Sequence, residues 1–395
     1  MHITIKPGIY WVGAVDWGVR DFHGYHTQYG TSYNAYVVRG EKVALVDTVK
    51  YGFQDQLFER LDHAGIEKID YLIVNHVEMD HAGSVKAVME RFPEVKIVTN
   101  ARGKIGLKEA YGIDEDAIIV KTGDRLDLGG KTLTFIETPM VHWPDSMATY
   151  VIEDRVLLPN DAFGMHYASS KRFDDEFSQE EMGRIFFEAA KYYANIVLLY
   201  SNQVQRVLRQ IEELGLELDV IAPSHGIIWR SNIQEILQRY RAWSAGEADE
   251  RVIIVYDSMW LHTEEAAFEV AEGVADEGVE FRLYRLKNSD WTEVMTEIMI
   301  SRGVIVGSPT LNRELFPTVA GFLAYMKGLK PFNKVAGAFG SYGWSGEAVG
   351  KIVDIFNQLR FDVVGSVRWK YSANEKTIEE LRELGRSVAK KVRGS

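Results

Sequence analysis

Apolar residues in the first part of the chain occur in short runs separated by polar loops. Tyr33–Arg39 and Lys42–Asp47 predict a pair of strands joined by a turn at Gly40. The other elements predicted there are three strands and two helices, at Tyr71–Val74, Lys131–Glu137, Ala148–Ile152, Glu180–Tyr193 and Gln203–Leu214, with Gly215 as a C-cap. The pattern therefore indicates many short strands with a few helices.

The pattern changes after a small, acidic segment at residues 245–250, which is typical of a linker. Val252–Tyr256 begins a series of five strand–helix pairs. Its other members are Thr263–Glu277, Glu280–Leu286, Trp291–Ile300, Val304–Val306, Leu315–Met326, Lys334–Ala338, Glu347–Leu359, Phe361–Val367 and Thr377–Val392. Continuous apolar strands that alternate with helices predict a doubly wound parallel sheet covered on both faces, as in flavodoxin-like domains. We therefore expect two domains, 1–248 and 249–395.

The composition is that of a folded globular protein, with 46% hydrophobic and 26% charged residues. The chain contains no cysteine, which excludes disulfides, iron–sulfur clusters, Cys-bound zinc and a cysteine nucleophile. Any metal ion must therefore be held by nitrogen and oxygen atoms.

The net charge of −12 argues against a nucleic-acid partner, because such binding depends on a basic surface. No apolar run approaches the roughly 20 residues that cross a bilayer, and Met1–Lys6 lacks the apolar core of a signal peptide. We therefore expect a cytoplasmic protein that binds neither nucleic acid nor membrane.

Seven acidic residues and histidines lie at the ends of predicted strands. Four of them occupy the loop after Tyr71–Val74 (His76, Glu78, Asp80 and His81), and three stand in later loops beside Pro or Gly (His142, Asp161 and His225). Each one alone is equally well explained as a capping acid or a hydrogen-bonded core histidine. Together they indicate a metal site, and Gly83 is expected to permit the turn into the following helix.

This H-x-E-x-D-H series, followed by His, Asp and His, resembles the ligand series of the metallo-β-lactamase fold. It resembles most closely that of the flavodiiron proteins, because Glu78 stands where the zinc hydrolases have a second histidine. The resemblance implies an N-terminal αββα sandwich that holds two irons. His76, Glu78 and His142 would bind one iron, Asp80, His81 and His225 the other, and Asp161 would bridge them. The additional oxygen ligand suits a redox iron site, since it stabilises the ferric state.

Further residues are candidates for supporting this site. Asp47 is placed to accept a proton from a ligand imidazole, and its alternative role is that of a turn residue. His23 and Tyr193 resemble family positions that line the substrate pocket, while Tyr193 is equally well explained as a half-buried helix aromatic. Four further histidines lack the context of a ligand loop and are not assigned to the metals, namely His2, His63, His166 and His262.

Three hydroxyl-rich loops follow strands of the second domain, at the edge where ligands bind in this fold. Ser258 and Thr263 lie in a loop that loosely resembles the flavodoxin phosphate loop, with Trp260 and Leu261 in place of a hydroxyl residue and a glycine. The resemblance implies FMN, bound by Ser258, Met259, Trp260, His262, Thr263, Ser308, Pro309, Thr310, Asn312, Ser341, Tyr342, Gly343 and Trp344. Each Ser or Thr is alternatively a helix cap, and Trp344 a core residue. No Walker loop or G-x-G-x-x-G motif is present.

The family resemblance implies an oxidoreductase that reduces O₂ to water, NO to N₂O, or both. Electrons would pass from an external donor through FMN to the two irons. The absence of cysteine excludes a rubredoxin module within the chain, so we expect a separate rubredoxin or a reduced flavin-type cofactor as the donor. A head-to-tail homodimer or a homotetramer is expected, because antiparallel pairing can bring one subunit's flavin beside the other's irons.

Two alternative functions remain at this point. The first is a binuclear zinc hydrolase of the glyoxalase II or lactamase type joined to a flavodoxin module, against which Glu78 argues. The second is an electron-carrying flavoprotein whose first domain serves only as a docking scaffold.

Overall fold

The computed structural model describes residues 1–394 and divides into two units. The first unit contains Met1–Tyr192 and Tyr200–Arg241, and the second contains Tyr193–Leu199 and the chain from Ala242 onward. The domain limits 1–248 and 249–395 stay a prediction. The assignment of Tyr193–Leu199 to the second unit is a feature that the sequence did not indicate.

The first unit contains sixteen short strands. They are β1 Ile3–Lys6, β2 Ile9–Trp11, β3 Ala14–Asp16, β4 Asp21–Phe22, β5 Tyr25–His26, β6 Thr31–Tyr33, β7 Tyr36–Arg39, β8 Val43–Val46, β9 Tyr71–Ile73, β10 Lys96–Thr99, β11 Ile118–Ile119, β12 Arg125–Asp127, β13 Thr132–Glu137, β14 Met147–Val151, β15 Val156–Leu158 and β16 Val220–Ile221. One sheet has the order β1-β2-β7-β8-β9-β10-β11 and another the order β12-β13-β14-β15-β16. The antiparallel pairing of β7 with β8 confirms the predicted strand pair.

Alternate residues of β8 face two different cores, as expected for a strand covered on both sides. Val46 lies in a cluster with Phe135 and Leu158 of the smaller sheet, so the two sheets pack face to face. Leu45 lies in a cluster with Leu57 and residues of three more helices on the opposite face. The helices of this unit are α1 Gln54–His63, α2 Met79–Ala82, α3 Val85–Arg91, α4 Ala101–Tyr111, α5 Gln179–Tyr192, α6 Ser201–Glu213 and α7 Ile233–Ala245. The unit is the αββα sandwich that the sequence predicted.

The second unit is built around one parallel five-stranded sheet. Its strands are β17 Asp249–Tyr256, β18 Glu280–Arg285, β19 Ser301–Gly307, β20 Thr310–Leu311, β21 Glu314–Leu315, β22 Val335–Tyr342 and β23 Asp362–Lys370, of which β20 and β21 form a separate hairpin. The sheet order is β18-β17-β19-β22-β23. Its helices are α8 His262–Asp276, α9 Trp291–Ile300, α10 Pro317–Leu329, α11 Glu347–Gln358 and α12 Glu375–Arg393. The five predicted strand–helix pairs are confirmed, and the order is that of a flavodoxin-like sheet.

One local prediction is corrected. The predicted linker at 245–250 is shorter, because α7 continues to Ala245 and β17 already begins at Asp249. Gly83 lies in the turn between α2 and α3, as predicted. Its φ of −60° is right-handed, so glycine is required there for space, since a Cβ would lie 2.3 Å from the carbonyl oxygen of Met79. No helix among residues 1–394 is both long and apolar enough to cross a membrane.

Candidate metal centre and strand-end cavity

The topology of the first unit brings the seven predicted ligands to one edge. His76 follows β9, and α2 carries Asp80 and His81. In the smaller sheet β13 and β15 are both antiparallel to β14, and β16 is parallel to β15. Because β13, β15 and β16 therefore run in the same direction, the loops that follow them lie at the same end of the sheet. These loops carry the remaining three residues, His142, Asp161 and His225.

The seven side chains form two groups that share one carboxylate. Potential ligand atoms of His76, Glu78 and His142 lie within 4.8 Å of one another, as do those of Asp80, His81 and His225. Asp161 Oδ2 faces the first group, 3.8 Å from His76 Nε2 and 3.6 Å from His142 Nε2. Asp161 Oδ1 faces the second group, 3.1 Å from His81 Nε2 and 3.5 Å from His225 Nε2. The two oxygens of one carboxylate thus point to different groups, as in a bridging ligand.

Several of these polar atoms are buried without a hydrogen-bond partner. They are both carboxylate oxygens of Asp80, Oδ2 of Asp161, both ring nitrogens of His81 and Nε2 of His142 and His225. Buried polar atoms in folded proteins are almost always hydrogen-bonded, so a group of orphaned donors and acceptors requires an explanation. Metal ions fit the arrangement, because the orphaned atoms are imidazole nitrogens and carboxylate oxygens that converge.

The electrostatics of the cluster also fit cations. Burial raises the pKa of the Asp161 carboxyl, but the surrounding imidazoles, above all His81, hold it well below its usual range. Burial lowers the pKa of His81, and the carboxylates of Asp80 and Asp161 outweigh it and raise the value to about 9. The fold thus keeps the carboxylates ionised and attracts protons to the imidazoles. A metal ion would take the place of those protons.

His76 is oriented by a carboxylate that sequence reasoning did not assign. Asp145 Oδ2 lies 3.0 Å from His76 Nδ1 and accepts a hydrogen bond from the backbone N–H of Val77 at 2.8 Å. This contact leaves Nε2 of His76 facing the cluster. Asp145 lies in the His142 loop of the sequence, three positions beyond that ligand. The only sequence signal was this proximity.

The role predicted for Asp47 is wrong. Its carboxylate accepts hydrogen bonds from the backbone and side-chain N–H groups of Asn75, at 2.8 and 3.2 Å, and from Asn160 Nδ2 at 3.1 Å. Asn75 precedes His76 and Asn160 precedes Asp161. Asp47 therefore ties two ligand-bearing loops together through asparagines and does not fix an imidazole.

The loop that carries His225 is held by residues 32–36, which run from β6 to the start of β7. Its Nδ1 lies 2.7 Å from the carbonyl oxygen of Ser32, so the ring donates there and Nε2 faces the cluster. Asn34 Nδ2 and Tyr36 Oη donate to the carbonyl oxygen of Pro223 at 2.8 and 2.6 Å. Gly226 has a φ of +77°, and a Cβ there would lie 2.2 Å from Met165 Sδ.

The tyrosine that reaches the cluster is Tyr192, whereas the sequence predicted Tyr193. Tyr192 Oη donates to Asp161 Oδ1 at 2.9 Å. Tyr193 belongs to the second unit, where it begins a π-helical turn and packs against Trp243 with ring centroids 5.4 Å apart. Tyr192 is fully buried beside the cluster, and the pocket-lining role of Tyr193 stays a prediction.

His23 lies beside the cluster as predicted. Its Nε2 is 3.0 Å from Glu78 Oε1, on the side of Glu78 that does not face His76. Burial lowers the pKa of His23, but the contact with Glu78 outweighs it and raises the pKa above its ordinary value. The ring of Trp143 packs against His76 at a steep angle, with the two ring centroids 5.1 Å apart.

The strand ends of the second unit surround a cavity of about 280 Å³. Twelve of the thirteen residues predicted to bind a cofactor line it, and they come from the loops after β17, β19 and β22. The hydroxyl of Ser258 is buried there without a hydrogen-bond partner, whereas the hydroxyls of Thr263 and Ser341 lie 3.0 Å apart. The orphaned hydroxyl of Ser258, in the loop between β17 and α8, fits a polar or anionic group of a ligand.

Ser308 is the exception, because it does not line the cavity. Its fully buried hydroxyl donates to the carbonyl oxygen of Pro309 at 2.9 Å and accepts from the backbone N–H of Phe316 at 3.0 Å. Ser308 therefore shapes the loop around the β20–β21 hairpin. Tyr371, which follows β23 and was not predicted, lines the cavity in its place.

Both units match known protein families. Residues 31–226 match the family described as ODP family beta lactamase, and residues 254–385 match the flavodoxin family. A nitric oxide reductase of Moorella thermoacetica is 44% identical, over 99% of this chain and 98% of that protein. An anaerobic nitric oxide reductase flavorubredoxin of Escherichia coli is 40% identical, over 99% of this chain and 82% of that protein.

Solved structures agree with these matches. The rubredoxin oxygen:oxidoreductase of Desulfovibrio gigas has a TM-score of 0.96 at 37% identity, covering 100% of this chain and 99% of that one. The flavodiiron protein of Giardia intestinalis has a TM-score of 0.95 at 35% identity, covering 100% of this chain and 97% of that one. A metallo-β-lactamase-like sandwich with a carboxylate-bridged ligand cluster, followed by a flavodoxin-like sheet, defines a two-domain redox flavoprotein. The chain belongs to the flavodiiron protein family.

Proposed function

We propose that this protein reduces O₂ to water, NO to N₂O, or both, with electrons that arrive through a flavin. The observation that carries the proposal is the position of Asp161, whose two carboxylate oxygens face two separate ligand groups. Relatives and neighbours named for nitric oxide and oxygen reduction support both substrates. The hydrolase alternative is not favoured, since these relatives are oxidoreductases.

We assign the first metal to His76, Glu78 and His142, and the second to Asp80, His81 and His225. Asp161 would bridge the two metals. Each group also contains one carboxylate of its own, Glu78 in the first and Asp80 in the second. Two irons bound there would supply the electrons for the reduction of a diatomic substrate. Mixed imidazole and carboxylate donors without thiolate suit iron, as the redox chemistry requires.

The chain's own residues orient the ligands and shape the pocket. Asp145 and the carbonyl oxygen of Ser32 fix the rings of His76 and His225 so that Nε2 of each points into the cluster. His23 holds the outer oxygen of Glu78, and its imidazole is placed to supply a proton at that side of the site. Tyr192 holds the bridging carboxylate.

The cavity of the second unit is assigned to FMN. It is lined by hydroxyl groups, backbone at the N-terminus of α8 and the exposed rings of Trp260 and Trp344. When bound, FMN supplies the conversion between electron pairs and single electrons. We further propose rubredoxin or a reduced flavin-type cofactor as the external donor, and a homodimer or homotetramer as the assembly.

Anaerobic purification followed by iron, zinc and flavin quantification tests the assignment. The reduced protein is then compared in O₂ and NO consumption with Asp161→Asn and, as a matched control, Asp175→Asn, which lies on the surface beside Arg230. We expect two irons and one FMN per chain, and activity that is lost in Asp161→Asn alone. Two zincs with thioester hydrolysis would establish the hydrolase instead, and full turnover by Asp161→Asn would establish the scaffold alternative.

A further inference from the structure

Tyr33 is a fully buried tyrosine that lies beside the candidate metal centre. It is the last residue of β6, and its ring centroid is 6.3 Å from that of His225, a separation typical of aromatic rings in contact. The rings of Phe22 and Phe53 pack around it at centroid distances of 6.2 and 5.1 Å. Tyr33 is therefore close enough to exchange an electron with a metal ion held by His225, and it is shielded from solvent.

The phenol of Tyr33 is hydrogen-bonded to a carboxylate that is not one of the seven ligands. Its Oη donates to Asp16 Oδ2 at 2.9 Å, while Oδ1 of Asp16 accepts from the backbone N–H groups of Gly18 and Val19, each at 3.1 Å. Asp16 is the last residue of β3 and is partly exposed. Because the contact has the length over which a side chain can take up a proton, Oδ2 can accept the phenol proton and pass it to water.

Two other buried tyrosines near the cluster have a different kind of acceptor. Tyr36 donates to a neutral backbone carbonyl at 2.6 Å, and Tyr192 donates at 2.9 Å to Asp161, a carboxylate assigned to the metals. A carbonyl oxygen is a very weak base, and bound metal ions would compete with a proton for Asp161. Of these three tyrosines, Tyr33 alone therefore has a base available for its proton.

Loss of an electron from Tyr33 must be accompanied by loss of its proton. Burial, and after it the charge of Asp16, raise the pKa of the phenol above its ordinary value, so the phenol is protonated at rest. The ammonium group of Lys50 lies 5.7 Å from the ring centroid and opposes a positive charge on the ring. The electron can therefore leave together with the proton that Asp16 accepts, and a neutral ring remains.

We propose that Tyr33 is a redox-active tyrosine that supplies an electron to the metal centre when the flavin cannot. This inference rests on the proposed function. Reduction of O₂ to two waters consumes four electrons and four protons, whereas two ferrous ions and a flavin that holds one electron supply three. The fourth electron leaves the phenol of Tyr33 for the metal centre, the phenol proton passes to Asp16 Oδ2, and a neutral tyrosyl radical remains. Reduction of two NO to N₂O consumes two electrons, which the metals already hold, so Tyr33 is not oxidised.

The test uses the full-length protein loaded with iron and FMN, reduced anaerobically by three electron equivalents per chain and then mixed with O₂. Electron paramagnetic resonance after rapid freezing detects a tyrosyl radical, and ring-deuterated tyrosine identifies its signal in the wild type. Tyr33→Phe removes the phenol, whereas Asp16→Asn keeps a hydrogen-bond acceptor that is not a base. Tyr150→Phe is the matched control, because Tyr150 is also buried but donates to the carbonyl oxygen of Glu217 at 2.7 Å.

We expect the radical in wild type and in Tyr150→Phe, and its loss in Tyr33→Phe and Asp16→Asn at unchanged iron and flavin content. Protein reduced by four equivalents, or given NO in place of O₂, should form none. The inference is overturned, and the proposed function is left intact, by a radical that persists in Tyr33→Phe, by one that is as strong in Asp16→Asn as in wild type, or by wild type that consumes O₂ without forming one. A fully reduced wild type that consumes neither O₂ nor NO would overturn the proposed function and the inference with it.

Discussion

Lys334 is a buried lysine whose replacement gives a quantitative prediction about the second unit. Lys334 directly precedes β22 and is only 3% exposed. Its side-chain amine donates hydrogen bonds to the carbonyl oxygens of Met299 and Ser301 at 2.8 and 2.7 Å. Both acceptors are neutral. Burial, with a smaller contribution from Arg302, lowers the pKa of the amine to about 7.

The sign of the pH dependence follows from the two protonation states. In the unfolded chain a lysine keeps its proton up to about pH 10.4, whereas the folded chain releases it near pH 7. Between these values the unfolded state binds more protons, so the free energy of unfolding rises with pH, by about 1.4 kcal/mol per unit. In Lys334→Met this contribution is absent.

The difference in unfolding free energy, wild type minus Lys334→Met, should therefore become more positive by about 2 kcal/mol between about pH 7 and pH 9. Urea denaturation of the full chain, followed by far-ultraviolet circular dichroism at several pH values, measures it. Lys327→Met is the matched control, because Lys327 is exposed on α10. A difference that is independent of pH would show that Lys334 is charged in the folded protein and would refute the reasoning.

Three further predictions concern the metal centre and its support. Asp145→Asn should lower metal affinity about 10- to 100-fold, because the ring of His76 loses its orienting carboxylate, and metal retained after chelator dialysis measures this. Gly83→Ala should lower the free energy of unfolding by about 1–3 kcal/mol, read from urea midpoints, since its new Cβ meets backbone. Tyr192→Phe should lower the free energy of unfolding by about 1 kcal/mol in the same urea assay, because Asp161 loses a buried hydrogen bond.

Two of these variants, Asp145→Asn and Gly83→Ala, have a matched control within the chain. Asp175→Asn changes an exposed aspartate and should keep the full metal content. Gly183→Ala adds a methyl group to open space in α5 and should be neutral or stabilising by about 0.5–1 kcal/mol. Metal retention by Asp145→Asn equal to that of wild type would show that His76 is oriented by its backbone alone. A Gly83→Ala protein as stable as Gly183→Ala would show that the tight contact relaxes.

The ligands themselves could be predicted from the sequence because most of their geometry is local. His76, Glu78, Asp80 and His81 lie within six residues at the end of one strand, and their identities define the chemistry without any tertiary information. The strand–helix alternation of the second unit is likewise a local pattern, which is why its parallel sheet and the strand-end loops around the cavity could be predicted. Ser308 was misplaced because a hydroxyl at a strand end serves a ligand or its own loop equally well.

The groups that orient the ligands could not be predicted in this way. Asp145 contacts a histidine 69 positions earlier, and Ser32 contacts one 193 positions later. Tyr192 and Tyr193 are adjacent in sequence, but consecutive helical residues point about 100° apart, so only one of them can face Asp161. The distinction between them depends on where α5 ends and the π-helical turn begins.

Burial of a carboxylate is not by itself the sign of a metal site, as a comparison of two aspartates shows. Asp174 is 1% exposed, and its carboxylate accepts hydrogen bonds from the backbone N–H groups of Arg230, Ser231 and Asn232. Asp80 is 2% exposed, and neither of its oxygens makes a well-aligned hydrogen bond; its close polar contacts are imidazole nitrogens, with Oδ2 2.9 Å from His225 Nε2 and 3.2 Å from His81 Nε2. The first aspartate completes a turn, and its charge is stabilised by the protein itself. The second leaves its charge to be stabilised by a cation that the surrounding imidazoles can also bind. The metal centre therefore differs from the structural acids of the same domain in its buried carboxylate oxygens, which the protein itself does not satisfy. Acidity and burial alone do not separate the two kinds of site.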